Sequence, residues 1–231
     1  MEIKVLGSGS SGNAYKIDDG VSPLLLEAGL RYKELQRGLD FKVSSLAACL
    51  ISHAHRDHCK SAESLLRAGV NVYIPQATKD ALGLTGHRIH VINAHSVFNI
   101  GQWVVRPFDV RHDVEALGFL LAHQSGEKIC YITDSMYSPY TFPGVTRWLI
   151  EVNYDAETIK QNVAENVIDR EHYKRVIRSH CSLETAVELL KANDLSKTVE
   201  IIAIHLSQEN AHEERIKRRL QEATGKVVRI A

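Results

Sequence analysis

The sequence predicts an α/β fold in which strands and helices are layered around a central core, and three observations support this prediction. The first half of the chain consists mostly of short apolar or alternating runs bounded by Gly, Ser and Asp, which is the pattern of strands and hairpins. After residues 146–152 the pattern becomes helical, and strand-like runs return at 198–204 and 226–230. Strands followed by helices in both halves indicate α/β layers.

The strands are predicted from runs that are too short for a comfortable helix. The clearest is LAACLIS at 46–52, which is continuously apolar and therefore suits a strand buried on both faces. In chain order the predicted strands cover residues 2–6, 14–18, 23–28, 46–52, 70–74, 87–92, 103–110, 117–122, 128–133, 146–152, 198–204 and 226–230.

Helices are predicted where capping residues bracket longer amphipathic runs. The segment SAESLLRAG at 61–69 can be capped by Ser61 and ended by Gly69. The chain has no linker rich in Pro, Gly or Ser and no repeat, so we predict one domain over residues 1–231. The remaining predicted helices cover roughly 155–177, then 183–193 opened by Ser182, and 209–223.

Composition is that of an ordinary globular protein, with 44% hydrophobic and 24% charged residues among 231. The formal net charge is zero, so contact with nucleic acid or a membrane would require a local charged patch. The start of the chain has no apolar signal region, and no run approaches transmembrane length. The four cysteines lack the paired spacing of a structural zinc site. We therefore expect free thiols, a cytoplasmic location and no membrane partner.

Polar side chains follow five of the predicted strands at the point where each strand ends. In layered α/β folds, ligands and catalytic groups gather at such strand ends, because the core fixes the strands and leaves their tips available. The polar residues at these ends are His53, His112, Asp134, His205 and the pair Glu151 and Asn153.

The densest cluster is HAHRDH at 53–58, directly after the buried run. His53 and His55 can point to one side and share a cation, whereas Asp57 and His58 lie past the turn and can face a second one. Asp134 could bridge the two, as carboxylates do between divalent ions roughly 3.5–4 Å apart. Imidazoles with carboxylates suit zinc or manganese better than magnesium or calcium. A lone histidine at a strand end is usually only a polar terminus, but imidazoles this dense indicate a metal.

The segment SHAHRDH resembles the HxHxDH signature of the metallo-β-lactamase fold, and His112, Asp134 and His205 follow in the order of that family. Five further stretches, LGSGSSGNAY, HDVEALGF, YITDS, EVNYD and IHLSQEN, resemble the YycJ/WalJ-type branch, whose members are taken as nucleases with a proposed 5′-exonuclease activity on DNA. The resemblance spans essentially the whole chain. It implies a four-layer αβ/βα sandwich of two mixed sheets with outer helices, without the large β-CASP insertion of RNA-processing relatives.

The resemblance also implies two divalent transition-metal ions, Zn²⁺ or Mn²⁺, and a DNA phosphodiester as substrate. A metal-bridged hydroxide would attack phosphorus, with Asp57 and Asp134 orienting the water and His180 facing the leaving oxygen. His180 directly precedes a predicted helix, so a surface turn residue is the alternative explanation for it. The chain has Glu27 where the family commonly has aspartate, and SHCS at 179–182 where the branch tends to have GHLS. The implied first ion is held by His53, His55 and His112, and the second by Asp57, His58 and His205, with Asp134 bridging.

Weaker candidates surround this set. The segment GSGSSGN at 7–13 could bind phosphate through main-chain N–H groups, with Ser10, Ser11 or Asn13 touching substrate, although a plain hairpin turn explains most of it. Asn153 and Ser182 are further candidates for substrate contact. A basic stripe, formed by Arg170, Lys174 and Arg178 at helical spacing, could track phosphates, although a solvated helix face also explains it.

Three functions are compatible with the sequence, and a DNA nuclease is favoured. The alternative on the same metals is a small-substrate hydrolase, either a cyclic or small phosphodiesterase or a lactone or thioester hydrolase, because fold and function separate. A non-catalytic nucleic-acid-binding module is disfavoured, since a degenerate member would lose ligands and all seven are present. The sequence leaves oligomeric state, strand polarity and native metal open.

Overall fold

The predicted α/β class is confirmed in the computed structural model, which describes residues 1–231 and contains two mixed β-sheets with flanking helices. Contacts divide the chain into two units, and the single domain expected over the whole chain stays a prediction. The first unit comprises Met1–Asp109, Val114–Leu117 and Leu121–Ser125, and the second comprises Val110–Asp113, Gly118–Leu120 and Gly126–Ala231.

All twelve predicted strands are present, with one further short strand at 98–100. The strands are β1 Glu2–Gly7, β2 Ala14–Asp18, β3 Leu24–Leu26, β4 Ala48–Leu50, β5 Val72–Ile74, β6 Ile89–Val91, β7 Phe98–Ile100, β8 Trp103–Val110, β9 Ala116–His123, β10 Lys128–Ile132, β11 Arg147–Glu151, β12 Glu200–Ile204 and β13 Val227–Ile230. The helices are α1 Tyr32–Gly38, α2 Arg56–Cys59, α3 Ala62–Arg67, α4 Gln76–Ala81, α5 Ala156–Ala164, α6 Arg170–Ser179, α7 Leu183–Lys191 and α8 Glu213–Thr224. No helix combines the length and apolar character needed to cross a membrane.

The six-stranded sheet has the order β1-β2-β3-β4-β5-β6. Its first three strands pair antiparallel and the strands from β3 to β6 pair parallel, so the sheet is mixed. Every residue of β3 and β4 is buried, which confirms the doubly buried strand predicted at 46–52. The chain leaves β4 at Leu50 and enters the histidine-rich segment three residues later, at His53.

The seven-stranded sheet has the order β13-β12-β11-β10-β9-β8-β7. Strands β10 to β13 pair parallel, with Ile132 opposite Ile150 and Glu151 opposite Ile204. Because parallel strands end at the same edge of a sheet, Asp134, Glu151 and His205 are delivered to one edge of the second unit.

One predicted helix is wrong as a single element, because 155–177 contains two helices. Asn166 adopts a left-handed φ of 58°, which interrupts the helix after α5. The Asp169 side chain then accepts a hydrogen bond of 2.7 Å from the His172 N–H and opens α6.

The two capping predictions differ in outcome. The Ser182 hydroxyl accepts a 3.1 Å hydrogen bond from the Thr185 N–H and caps α7 as predicted. Ser61 precedes α3 but forms no side-chain cap, because its hydroxyl donates instead to the Leu30 carbonyl at 2.6 Å. The Ser61 hydroxyl therefore links the start of α3 to the connection between β3 and α1.

The four cysteines are free, as predicted, and all are buried. Burial penalises the thiolate, so it raises the pKa of Cys49, Cys130 and Cys181 well above the usual value and that of Cys59 to about 11. The thiols are therefore protonated at neutral pH and behave as small apolar groups.

Candidate metal centre

The first unit brings together all four side chains of the HAHRDH segment that the sequence singles out. The His53 and His55 ring centroids lie 4.7 Å apart, and those of His53 and His58 lie 4.2 Å apart. Asp57 Oδ2 lies 3.3 Å from His58 Nε2. His53 and His58 are fully buried, so these rings are removed from water at the end of β4.

Two neighbouring residues orient these imidazoles. Ser52 Oγ lies 2.8 Å from His53 Nδ1. Glu27 is fully buried, accepts a 3.2 Å hydrogen bond from the Ser52 N–H, and places its other oxygen 3.6 Å from His58 Nδ1. Hydrogen bonding of this kind fixes ring orientation and raises the basicity of a ligating histidine. Nothing in the HxHxDH motif predicts this role for Glu27. The signals in the sequence are a carboxylate directly after a buried strand and its position, where the family commonly has aspartate.

The glycine-rich segment at 7–13 holds the backbone that carries Asp57. The Asn13 N–H donates to the Asp57 carbonyl at 2.8 Å, and the Asn13 amide lies 3.2 Å from His58 Nε2. Asn13 is fully buried, whereas Ser10 and Ser11 are exposed. Gly29 packs so closely that a Cβ there would lie 1.6 Å from the main-chain carbonyl oxygen of Asp57. Substrate contact by the three polar residues of this segment stays a prediction.

In the second unit, Asp134 lies between two histidines. Its carboxylate oxygens are 3.6 Å from His112 Nε2 and 3.2 Å from His205 Nδ1. The Thr133 hydroxyl donates to Asp134 at 2.9 Å, and His112 Nδ1 lies 3.0 Å from the Ser179 carbonyl. A buried carboxylate placed between two imidazoles has the geometry expected of a shared ligand.

Glu151 joins His180 to His205. Its Oε1 lies 2.7 Å from His180 Nδ1 and 2.8 Å from His205 Nδ1. Its Oε2 accepts hydrogen bonds from the N–H groups of Ser135 at 3.0 Å and Cys181 at 3.1 Å. The sequence placed Glu151 at a strand end without a role, and its complete burial is the property that a motif does not reveal.

The buried charges of this cluster shift each other's pKa. Burial by itself raises the pKa of Glu151, but His180 and His205 outweigh burial and hold that pKa below the usual carboxylate value. Burial by itself lowers the pKa of His180, but the adjacent Glu151 carboxylate outweighs burial and holds that pKa above its ordinary value. Each group therefore favours the charged form of the other, a carboxylate beside an imidazolium.

The weaker candidates of the second unit occupy different environments. Asn153 is buried and donates to the His205 carbonyl at 2.9 Å, so it holds the chain that carries this histidine. The Ser182 hydroxyl caps α7. The basic stripe lies on α6 and is exposed along its length, and its Lys174 forms an ion pair of 2.8 Å with Glu171. A substrate role for these residues stays a prediction.

Non-glycine residues with left-handed backbones lie beside the histidines of each unit: Glu27 in the first, with φ of 64°, and Asp134 and His205 in the second, with φ of 45° and 56°. Such conformations cost about 1–3 kcal/mol each and persist where surrounding structure over-determines them, typically at functional sites. The donors are imidazoles and carboxylates, with no thiolate, and this donor set fits Zn²⁺ or Mn²⁺. The side chains present therefore suit the divalent ions that the motif implies.

The beta-lactamase superfamily domain model matches residues 24–206, which is more than half of the sequence. The chain belongs to the beta-lactamase superfamily. This membership confirms that the protein is a metal-dependent hydrolase, as predicted, and the histidine and carboxylate side chains fit divalent-metal binding. The predicted fold is confirmed as well, because this superfamily member is similar to the metallo-beta-lactamase fold protein YhfI from Bacillus subtilis. That likeness has a TM-score of 0.77 at 17% identity and covers 99% of this chain and 95% of the other.

Two curated relatives confirm the predicted branch resemblance. Exodeoxyribonuclease WalJ from Streptococcus pneumoniae is 26% identical to this superfamily member over 227 residues, covering 91% of this chain and 83% of its own. Exodeoxyribonuclease YycJ from Bacillus anthracis is 26% identical over 223 residues, covering 91% and 84% respectively.

Proposed function

We propose that this protein is a dinuclear-metal phosphodiester hydrolase acting on DNA as a 5′-exonuclease. The observation that carries the proposal is the buried Asp134 carboxylate held between two imidazoles, with the HAHRDH imidazoles and carboxylate assembled in the first unit. The relatives named as exodeoxyribonucleases, which cover 91% of the chain, support DNA as the substrate.

The proposed ligand assignment follows the family order. Ligand atoms of His53 and His55 lie within 4.8 Å of one another, as do those of Asp57 and His58, which supports a separate ion for each pair. When bound, two divalent ions would supply an activated water and stabilise the charge that develops on phosphate. In the proposal, His53, His55 and His112 hold one ion, Asp57, His58 and His205 hold the other, and Asp134 is shared.

His180 is proposed to assist the leaving oxygen. Its Nδ1 is engaged by Glu151, which leaves Nε2 to face substrate. The Glu151 carboxylate holds the pKa of His180 above its ordinary value, which favours the protonated ring that a general acid requires. Asp57 and Asp134 orient the attacking water in the same scheme.

The test compares three substrates side by side, with Mn²⁺-supplemented protein. We expect 5′-labelled linear DNA to lose its label first, supercoiled DNA to stay intact, and bis-p-nitrophenyl phosphate to be hydrolysed slowly. A His55→Ala variant should lose all activity, whereas His87→Ala, an exposed histidine outside the cluster, should keep it. Hydrolysis of the small diester without any cleavage of DNA would contradict the proposal and favour a small-substrate hydrolase.

We also propose a single domain over residues 1–231, a cytoplasmic location and no membrane partner. The family model runs from 24 to 206 and so includes residues of both units, which supports one domain. Four free cysteines are typical of a reducing compartment, which supports the cytoplasm.

A further inference from the structure

A polar cavity of about 600 Å³ lies in the first unit beside Asp57, which forms part of its wall. Three cationic side chains line the cavity. Arg31 directly precedes α1, Arg56 is the first residue of α2, and Lys60 directly follows α2. The only carboxylate in its wall is that of Asp57, so the lining carries an excess of positive charge. Its volume falls in the range of roughly 300–1,000 Å³ typical of small-ligand sites.

The three cations of this cavity are exposed and are not neutralised by carboxylates. The Glu34 carboxylate accepts from the Arg31 main-chain N–H at 3.0 Å, and no ion pair involves the Arg31 or Arg56 guanidinium. Lys60 Nζ donates to the Ser11 carbonyl at 3.0 Å, a neutral acceptor that leaves the ammonium charge uncompensated. This differs from the basic stripe of α6, in which an acidic neighbour pairs with the central lysine.

The chemistry of this lining selects a phosphate. Guanidinium groups bind phosphate oxygens through two parallel N–H donors, and an ammonium adds a point charge. The hydroxyls of Ser10 and Ser64 add neutral donors in the same wall, which the half-buried Tyr32 also lines. On a chain of zero net charge, this local patch can attract a polyanion at the metal centre.

The geometry points to a phosphate-binding subsite in which Arg31, Arg56 and Lys60 hold a backbone phosphate of the DNA strand next to the phosphodiester that is cut. The subsite rests on the proposed function, because Asp57 is both part of the cavity wall and a proposed metal ligand. A strand held there is anchored by a neighbouring phosphate, which a small diester lacks.

The test uses the double variant Arg31→Ala, Lys60→Gln. Arg56 stays unchanged, because it lies between two proposed ligands in sequence. The matched control is the double variant Lys33→Ala, Arg37→Ala, which removes two exposed cations of α1 that do not line the cavity. Binding of a short 5′-fluorescein-labelled single strand is measured by anisotropy in EDTA over a salt series, and cleavage of that strand and of bis-p-nitrophenyl phosphate is measured with Mn²⁺.

We expect the cavity variant, Arg31→Ala with Lys60→Gln, to raise the Kd for DNA about tenfold. It should lower the slope of log affinity against log salt by about 0.7, which is the contribution of one neutralised phosphate on a single strand. Its KM for DNA should rise similarly, while hydrolysis of the small diester and metal content stay unchanged, and the control should match the parent.

The outcomes separate the subsite from the proposed function. If the cavity variant binds DNA as the control does while the parent cuts DNA, the subsite is wrong and the nuclease assignment stands. If the cavity variant also loses metal or hydrolysis of the small diester, the cations support the metal centre and the subsite is again wrong. A parent that neither binds nor cuts DNA overturns both.

Discussion

Replacing Gly29 with alanine should displace the segment that carries Asp57 and His58. The added Cβ would lie 1.6 Å from the Asp57 carbonyl oxygen and 2.7 Å from the Asn13 nitrogen, and both of these are main-chain atoms. Real Cβ contacts stay beyond 3.0 Å, so the Asp57 carbonyl must move by about 1.4 Å. That movement would break the 2.8 Å hydrogen bond between these two main-chain groups.

The magnitude follows from two costs. Losing a buried hydrogen bond costs about 1–3 kcal/mol, and forcing packed backbone apart costs about 1–3 kcal/mol more, so the free energy of unfolding should fall by about 2–6 kcal/mol. For a chain of this size each kcal/mol lowers Tm by roughly 2–4 °C. Because a misplacement of about 1 Å can cost roughly 100-fold in rate, catalysis should fall by at least that factor.

The assay combines thermal unfolding, metal content and hydrolysis of bis-p-nitrophenyl phosphate by the soluble variant. Gly38→Ala is the matched control, because its Cβ would lie 3.1 Å from a Leu6 methyl group, which can rotate away. That control should stay within about 1 kcal/mol of the parent. If Gly29→Ala keeps the Tm, metal content and rate of the parent, the close packing does not position Asp57 and the reasoning is wrong.

Three further predictions address the remaining features. Changing all three residues of the basic stripe to alanine should weaken DNA binding several-fold and flatten its salt dependence, while hydrolysis of the small diester stays unchanged. DNA binding equal to that of the parent would show that the stripe is only a solvated helix face. Glu151→Gln should lower the pKa of His180, because the carboxylate that raises it is removed. In a pH–rate profile, the loss of hydrolysis with rising pH should therefore move to lower pH, and an unchanged profile would show that His180 is not the general acid. Thiol titration after denaturation without reductant should give four thiols per chain, and fewer than four thiols would indicate a disulfide. In the native protein at pH 8 the same thiols should react slowly, because burial raises their pKa values.

The sequence predicts the strands well because burial leaves a direct imprint on residue choice. A strand covered on both faces must be apolar throughout, as 46–52 is, and parallel strands must end at one edge of the sheet. The gathering of Asp134 and His205 could therefore be anticipated from the polar residue that follows each apolar run. The sequence also predicts metal binding at 53–58, because imidazoles this close together repel one another if protonated and stack poorly if neutral, unless a metal ion binds the neutral rings.

What could not be predicted depends on contacts between distant segments. Asn13 reads as a turn residue, yet it binds the backbone and side chains of a helix more than forty positions later. Glu27 and Glu151 became orienting groups only because folding buried them beside histidines. The sequence does not predict the division of 155–177 into two helices, because the left-handed Asn166 interrupts an otherwise continuous helical pattern.

The most direct test of the central claim is the metal content of the purified, metal-supplemented protein, measured by mass spectrometry after desalting. We predict about two transition-metal ions per parent chain and clearly fewer in His55→Ala and in Asp134→Asn. Asparagine is chosen at position 134 because it tolerates the φ of 45° there but lacks the charge. His87→Ala should match the parent. A parent that holds no transition metal, or ligand variants with unaltered content, would contradict the account.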